Sequence, residues 1–124
     1  MRFLSKLLKK APRVQPTEVR DLDSFDAEVL GSSLPVIVDV WSHGCPPCRQ
    51  LEPIIVEVAS RYAGRVRVAE VAAHEAPDLT RHLGVRSTPT IIIYDKGEEL
   101  GRASGFRPST WFDEMIAAEF PHRR

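Results

Sequence analysis

The chain has 124 residues, of which 43% are hydrophobic and 27% are charged, and this composition predicts one globular domain with an ordinary core. Its formal net charge is zero, so the overall charge does not indicate a nucleic-acid partner. Two cysteines are too few for a secreted scaffold held together by disulfides, and no apolar run is long enough to span a membrane.

The first 17 residues read as a basic tail or short helix, ahead of a domain that we place at residues 18–124. Five of the 17 basic residues and none of the 17 acidic residues lie in the first 13 positions. This segment lacks the continuous apolar stretch and the cleavage site of a signal peptide, so we expect a cytoplasmic protein. Contact of the tail with an anionic membrane surface is an alternative. So short a helix is marginal by itself, which favours a solvated or packed terminus.

Apolar periodicity and turn residues divide the rest of the chain into nine elements in the order β-α-β-α-β-α-β-β-α. The first helix has Asp23 or Ser24 as its N-cap. Two strands joined through a helix pair in parallel, whereas a hairpin turn makes the last two strands antiparallel. The fold class is therefore α/β, with a mixed central sheet and helices on both faces. We predict strands at residues 18–22, 35–40, 65–71, 90–94 and 99–103, and helices at about 24–30, 48–62, 77–83 and 108–120.

Both cysteines lie in one stretch, Cys45-Pro46-Pro47-Cys48, between a buried strand and the start of a long helix. Two intervening residues allow the sulfurs to close a small disulfide ring, which indicates thiol–disulfide chemistry. Unpaired N–H groups and the helix dipole favour an anion at a helix start, so we expect the pKa of the Cys45 thiol to fall below the free value of about 8.5. Cys45 is then the nucleophile and Cys48 the resolving thiol. The two prolines suit the first helical turn, and they remove N–H donors near the Cys45 sulfur.

A metal half-site is the alternative for the same two cysteines. Zinc or an iron–sulfur cluster needs more ligands than two thiolates, so His43 or a second chain would have to complete the site. We therefore predict a redox-active pair with no bound metal.

Several motifs around the cysteines occur together at the spacing of one family. Asp39-Val40-Trp41 followed by Cys45-Pro46-Pro47-Cys48 resembles the Asp-Phe-Trp and Cys-Gly-Pro-Cys of thioredoxins. Pro53 matches the proline that kinks the active-site helix, and residues 85–90 resemble the segment that carries the family's cis-proline. This similarity to the thioredoxin family covers roughly residues 17–120 and implies a thioredoxin-like fold.

The resemblance also implies roles for these residues. Cys45 would attack a substrate disulfide, and Cys48 would then release the reduced substrate. Asp39 would be a buried acid or base that assists deprotonation of Cys48, although it has the alternative of a satisfied structural polar group. Trp41 would shield the site, or else simply fill the core.

Substrate binding and partners follow from the same resemblance. Pro89, if cis, would place the backbone of Thr88 beside Cys45, where a substrate strand can form hydrogen bonds; an ordinary trans proline at the strand edge is the alternative. The partners would be client proteins with disulfides and an NADPH-dependent flavin reductase as electron source. No cofactor would be bound apart from the redox-active disulfide itself.

Three positions depart from the family pattern. The dipeptide that tunes the redox poise is Pro46-Pro47 here, and His43 with a glycine precedes Cys45 where the family often has tryptophan. Glu70 occupies a place where the family often has a lysine near the buried aspartate. If Glu70 approaches Asp39, at least one of the two pKa values should rise. Alternatively, Glu70 reaches solvent or pairs with an arginine. The alternative for His43 is a solvated loop residue.

The sequence thus predicts a thiol–disulfide oxidoreductase that reduces protein disulfides through Cys45 and Cys48. Two other functions stay open. The altered dipeptide is compatible with a disulfide oxidase or isomerase, and the fold by itself is compatible with a non-catalytic docking module.

Overall fold

The computed structural model describes residues 13–121, which form a five-stranded sheet with helices on both faces. The strands are β1 (Thr17–Glu18), β2 (Val36–Trp41), β3 (Arg67–Ala72), β4 (Thr90–Asp95) and β5 (Glu98–Ser104). The helices are α1 (Leu22–Phe25, continued by a π-helical turn at Asp26–Leu30), α2 (Pro46–Arg61), α3 (Pro77–His82) and α4 (Ser109–Glu119). Most of the predicted tail lies outside the described residues.

The sheet is mixed, as the sequence predicted. Its strand order is β1-β3-β2-β4-β5, with β1, β3 and β2 parallel and with β4 antiparallel to both of its neighbours. The turn between β4 and β5 contains Lys96 and Gly97 with φ angles of 54° and 79°. Positive φ at both central residues matches the twist of the flanking strands, which is why a two-residue hairpin forms here. These features confirm the α/β fold class.

Strand β2 is the centre of the molecule because both of its faces are covered. Val36, Val38 and Val40 pack on one face with residues of α1, α3 and β4. Ile37 packs on the other face with residues of α2 and α4. Asp39 lies on this second face, next to the helix that carries Cys48, and only 4% of its surface is exposed. The strand therefore directs one acid toward the cysteine-bearing helix.

Helix α1 begins earlier than predicted, and its N-cap is Asp21 rather than Asp23 or Ser24. The Asp21 carboxylate accepts the backbone N–H of Ser24 at 2.7 Å, and the Ser24 hydroxyl accepts the N–H of Asp21 at 3.2 Å. This reciprocal pair is a capping box, so Ser24 acts from the third helical position. Phe25 and Val29 face the core as predicted.

Other boundaries differ from the prediction as well, most of them by one or two residues. The first strand is Thr17–Glu18 rather than 18–22, and α2 starts at Pro46 because the fixed φ of proline suits a first helical turn. The chain contacts the domain before β1, since the N–H of Val14 donates to the Ser60 hydroxyl at 2.8 Å. Within residues 13–121, no helix is long and apolar enough to cross a membrane.

Candidate active site

The two cysteines form a disulfide at the N-terminus of α2. Cys45 is the N-cap residue, and Pro46 and Pro47 occupy the first two helical positions. Cys48 is therefore the first residue of the helix with an N–H, and that N–H donates to the Cys45 sulfur at 3.3 Å. After reduction, the same donor and the helix dipole would stabilise a thiolate at Cys45.

The loop before β4 brings a backbone carbonyl next to the disulfide. The Thr88 carbonyl oxygen lies 3.5 Å from the Cys45 sulfur, and the Thr88–Pro89 peptide bond is cis. The hydroxyls of Thr88 and Ser42 share a hydrogen bond of 2.6 Å, which joins this loop to the segment that leads into the cysteines. The structure thus places the Thr88–Pro89 segment beside Cys45, and it adds Ser42, which was not among the predicted site residues.

A cavity of about 390 Å³ lies on the other side of the disulfide, between β2, β3 and α2. Asp39 and Cys48 line it together with Glu52 of α2 and Glu70 of β3. Oδ1 of Asp39 is buried and has no hydrogen-bond partner among the described residues. The predicted buried acid and the predicted resolving thiol therefore line one cavity.

Glu70 is the register neighbour of Asp39 across β2 and β3. Burial is the main cause that raises the pKa of Asp39 to about 7, and repulsion by Glu70 and Glu52 adds to it. Burial also raises the pKa of Glu70, with further repulsion from Glu18 and Glu52. No ion pair joins Glu70 to an arginine of residues 13–121. Glu52 was not among the predicted site residues, although its place one helical turn after the second cysteine was a usable signal.

Three aromatic rings pack together beside the loop that precedes Cys45. The rings of His43 and His74 lie 3.7 Å apart, and Trp41 meets them edge-on at 5.7 and 5.1 Å. Trp41 and His43 also line the cavity, and Trp41 belongs to neither core cluster. Trp41 and Ala72 are the last residues of the parallel strands β2 and β3 and pair with each other. His74, two residues after Ala72, therefore lies near Trp41. Pairing the ends of these two strands was the signal that could have located it.

The part of the chain that the structure describes contains no group of three histidine, cysteine, aspartate or glutamate side chains that could hold a metal ion. The metal half-site considered for Cys45 and Cys48 therefore lacks a set of ligands within these residues.

Comparison with known proteins adds to this geometry. A family model described as Thioredoxin matches residues 16–118. The chain is 36% identical to Thioredoxin 1 of Nostoc sp. (strain PCC 7120) over 75% of the chain and 87% of that protein, and 43% identical to Thioredoxin of Rickettsia felis over 75% and 92%. It is also 35% identical to Thioredoxin M5, chloroplastic, of Oryza sativa subsp. japonica. The match covers 83% of this chain and 60% of the length of that protein.

Proposed function

The chain belongs to the thioredoxin family and is a thiol–disulfide oxidoreductase of the protein-disulfide reductase type, and we propose that Cys45, Cys48 and Asp39 carry out its reaction. One observation carries these roles: the two sulfurs have different surroundings. The N–H of Cys48 donates to the sulfur of Cys45, whereas Cys48 itself lines the cavity that contains Asp39. After reduction, the Cys45 thiol would thus be stabilised as a thiolate, and the Cys48 thiol would give its proton to Asp39 during the second step.

The reaction proceeds in two exchange steps. The Cys45 thiolate attacks one sulfur of a client disulfide, that S–S bond breaks, and the other client sulfur leaves as a thiolate. Cys48 then gives its proton to Asp39 and attacks the Cys45 sulfur of the mixed disulfide. The second client sulfur leaves, so the client has gained two electrons and the Cys45–Cys48 disulfide has formed again.

The backbone of Thr88 is the docking site that we propose for the client. Its carbonyl lies beside the Cys45 sulfur, so an extended client segment that pairs with this backbone would bring its own disulfide to Cys45. Trp41 and His43 line the cavity on the other side of the disulfide.

Trapping of clients tests these roles. Cys48→Ser should accumulate mixed disulfides that a reductant releases, whereas Cys45→Ser should neither trap clients nor reduce insulin. The double Cys45→Ser, Cys48→Ser variant is the matched control and should capture nothing. Insulin reduction by Cys45→Ser would contradict the assignment, and trapping by Cys45→Ser alone would exchange the two roles.

We also propose that this protein works in a reducing compartment such as the cytoplasm and receives electrons from an NADPH-dependent flavin reductase. A protein-disulfide reductase needs a reduction potential below that of the cytosolic glutathione pool. Biochemical extraction places the potential of this pool at roughly −220 to −260 mV. The equilibrium potential of Cys45–Cys48, measured by thiol trapping in graded dithiol buffers, should therefore fall below this range. A clearly higher potential would favour the oxidase or isomerase alternative that Pro46-Pro47 left open.

A further inference from the structure

The antiparallel pairing of β2 with β4 ends just before the loop that lies beside the disulfide. Its last register pair is Val40 with Thr90, and Ser42 and Thr88 each lie two residues beyond this pair. Pro89 stands between Thr88 and Thr90 and has no N–H to donate, so the ladder of backbone hydrogen bonds does not continue through it. Ser42 and Thr88 therefore lie opposite each other where the strands have stopped pairing.

A side-chain hydrogen bond takes the place of the backbone pairing at this point. The hydroxyl oxygens of Ser42 and Thr88 lie 2.6 Å apart, and both residues are half-buried. Hydrogen bonds between serine and threonine side chains on opposite strands stabilise the pairing of those strands. Here the bond joins the loop that contains Thr88 to the segment that leads into the cysteines.

Two further hydrogen bonds hold the same loop, but they attach it to other parts of the fold. The Thr90 hydroxyl donates to the Ser87 carbonyl at 2.6 Å, which is a contact within the loop. The Pro89 carbonyl accepts the N–H of Gly105, just after β5, at 2.8 Å. Neither of these bonds reaches the segment before the cysteines, whereas the bond to the Ser42 hydroxyl does.

The backbone of Thr88 has no backbone partner, although its side chain is bound. No backbone–backbone hydrogen bond within residues 13–121 uses the Thr88 N–H or its carbonyl, and this carbonyl lies 3.5 Å from the Cys45 sulfur. An extended peptide that adds to a protein edge pairs with N–H and carbonyl groups of this kind. A bond through the hydroxyl therefore holds Thr88 in place without occupying the groups that a client would use.

We propose that Ser42 is a positioning residue for client docking: its hydroxyl holds Thr88 beside Cys45, so that a client segment pairs with a backbone that is already in place. This inference rests on the proposed function, because it assigns a role within the same reaction. Ser42 acts through Thr88 and not on the sulfurs. Its loss should therefore weaken the docking of a protein client, which then has to order the loop, and leave the chemistry of the thiols unchanged.

Two substrates separate docking from thiol chemistry. The reduced chain is mixed with insulin or with hydroxyethyl disulfide, which has no peptide backbone, and the second-order rate constant is obtained from the fraction of oxidised chain in acid-quenched samples. We expect Ser42→Ala to lower the rate constant for insulin about 2- to 10-fold, the size expected for one neutral hydrogen bond, and to leave that for hydroxyethyl disulfide unchanged. Ser42→Thr keeps the hydroxyl and should keep both rates. Ser33→Ala, which changes an exposed serine ahead of β2, is the matched control.

A double-mutant cycle tests whether the two hydroxyls act as one bond. Thr88→Val keeps the shape of the side chain and removes its hydroxyl, so it should slow the reaction with insulin about as much as Ser42→Ala does. The double Ser42→Ala, Thr88→Val variant should be no slower than either single variant, because the same bond can be lost only once.

Three results would overturn the proposal. The first is an unchanged rate constant for insulin in Ser42→Ala. The second is an equal loss with both disulfides, which would mean that Ser42 acts on the thiols or on the fold as a whole. The third is a pair of losses that multiply in the double variant, which would mean that the two hydroxyls act independently. An unmodified chain that reacts with hydroxyethyl disulfide but not with insulin would contradict the proposed function itself, and the positioning role would fall with it.

Discussion

Cys45 and Cys48 share one disulfide, but each meets a different environment. Cys45 is the N-cap of α2 and lies beside the Thr88 carbonyl, while Cys48 lies one turn further along and faces the acidic cavity. The two prolines between them leave Cys48 as the first residue of the helix that can donate an N–H. This asymmetry was predictable from the sequence, because the N-cap and the first turn of a helix consist of consecutive residues. The place of Glu70 next to Asp39, in contrast, depends on the register of β2 and β3.

The Glu70 carboxylate should shift the pH dependence of turnover. Its charge helps to raise the pKa of Asp39, after burial, so Glu70→Gln should lower that pKa. We expect the inflection of the pH–rate profile for insulin reduction to move about half a unit to one unit toward lower pH. Glu114→Gln, which removes an exposed acid from α4, serves as the control. A profile identical to that of the unmodified protein would show that Glu70 does not influence the step.

The buried Asp39 should make folding stability depend on pH in the opposite sense to a paired surface acid. Its pKa is raised from 3.8 to about 7, so between these values the folded state holds a proton that the unfolded state has lost. Stability therefore decreases as pH rises through this window and is level above it. Asp39→Asn removes this loss, so it should stabilise the oxidised protein by up to roughly 4 kcal/mol near pH 8 and by almost nothing near pH 4.

Urea unfolding of the two proteins at both pH values measures this difference. Asp95→Asn, at the half-buried end of β4, is the matched control for the same chemical substitution outside the cavity. Equal stabilisation by Asp39→Asn at both pH values would mean that packing, and not ionisation, is the cause.

At the scale of elements, one side chain of β3 joins three parts of the fold. The Arg67 guanidinium donates to the Glu28 backbone carbonyl at 3.0 Å, to the Glu28 carboxylate at 2.8 Å and to the Thr17 hydroxyl at 3.4 Å. It thus holds the end of α1 and the short strand β1 against the sheet. The sequence predicted all three elements, but it could not reveal this connection because the residues are far apart in the chain.

Arg67→Ala should therefore loosen α1 and β1 before it affects the centre of the sheet. We expect a loss of about 1–2 kcal/mol in the free energy of unfolding, since a partly buried charged group with several hydrogen bonds is removed. Hydrogen exchange should accelerate in α1 and β1 and stay slow in β2. Arg81→Ala, which removes an exposed ion pair on α3, should change little. Uniform acceleration across the sheet would contradict a local role.

For the molecule as a whole, the sequence predicted the α/β architecture and the mixed sheet because apolar periodicity and turn residues are local signals. It also located Cys45, Cys48 and Asp39. It did not reveal the packing of His74 on His43, which arises where separate segments meet. Glu52 was not predicted either, although it lies one turn after Cys48 on the same helix. The predicted N-cap of α1 was wrong for another reason. Asp21, Asp23 and Ser24 can all cap a helix, and only the folded structure selects Asp21.

The same disulfide that performs the chemistry should also stabilise the whole domain. It closes a ring of four residues, from Cys45 to Cys48, and so removes conformational freedom chiefly from the unfolded chain. The chain-entropy relation gives about 2 kcal/mol for a loop this short. We therefore expect the oxidised protein to unfold at a higher urea concentration than the reduced protein, and by thermodynamic linkage the potential of the pair should be about 40 mV more negative in the folded than in the unfolded chain. The double Cys45→Ser, Cys48→Ser variant should not respond to reductant. Equal stability of the two redox forms would mean that interactions of the free thiols with the site compensate for the lost constraint.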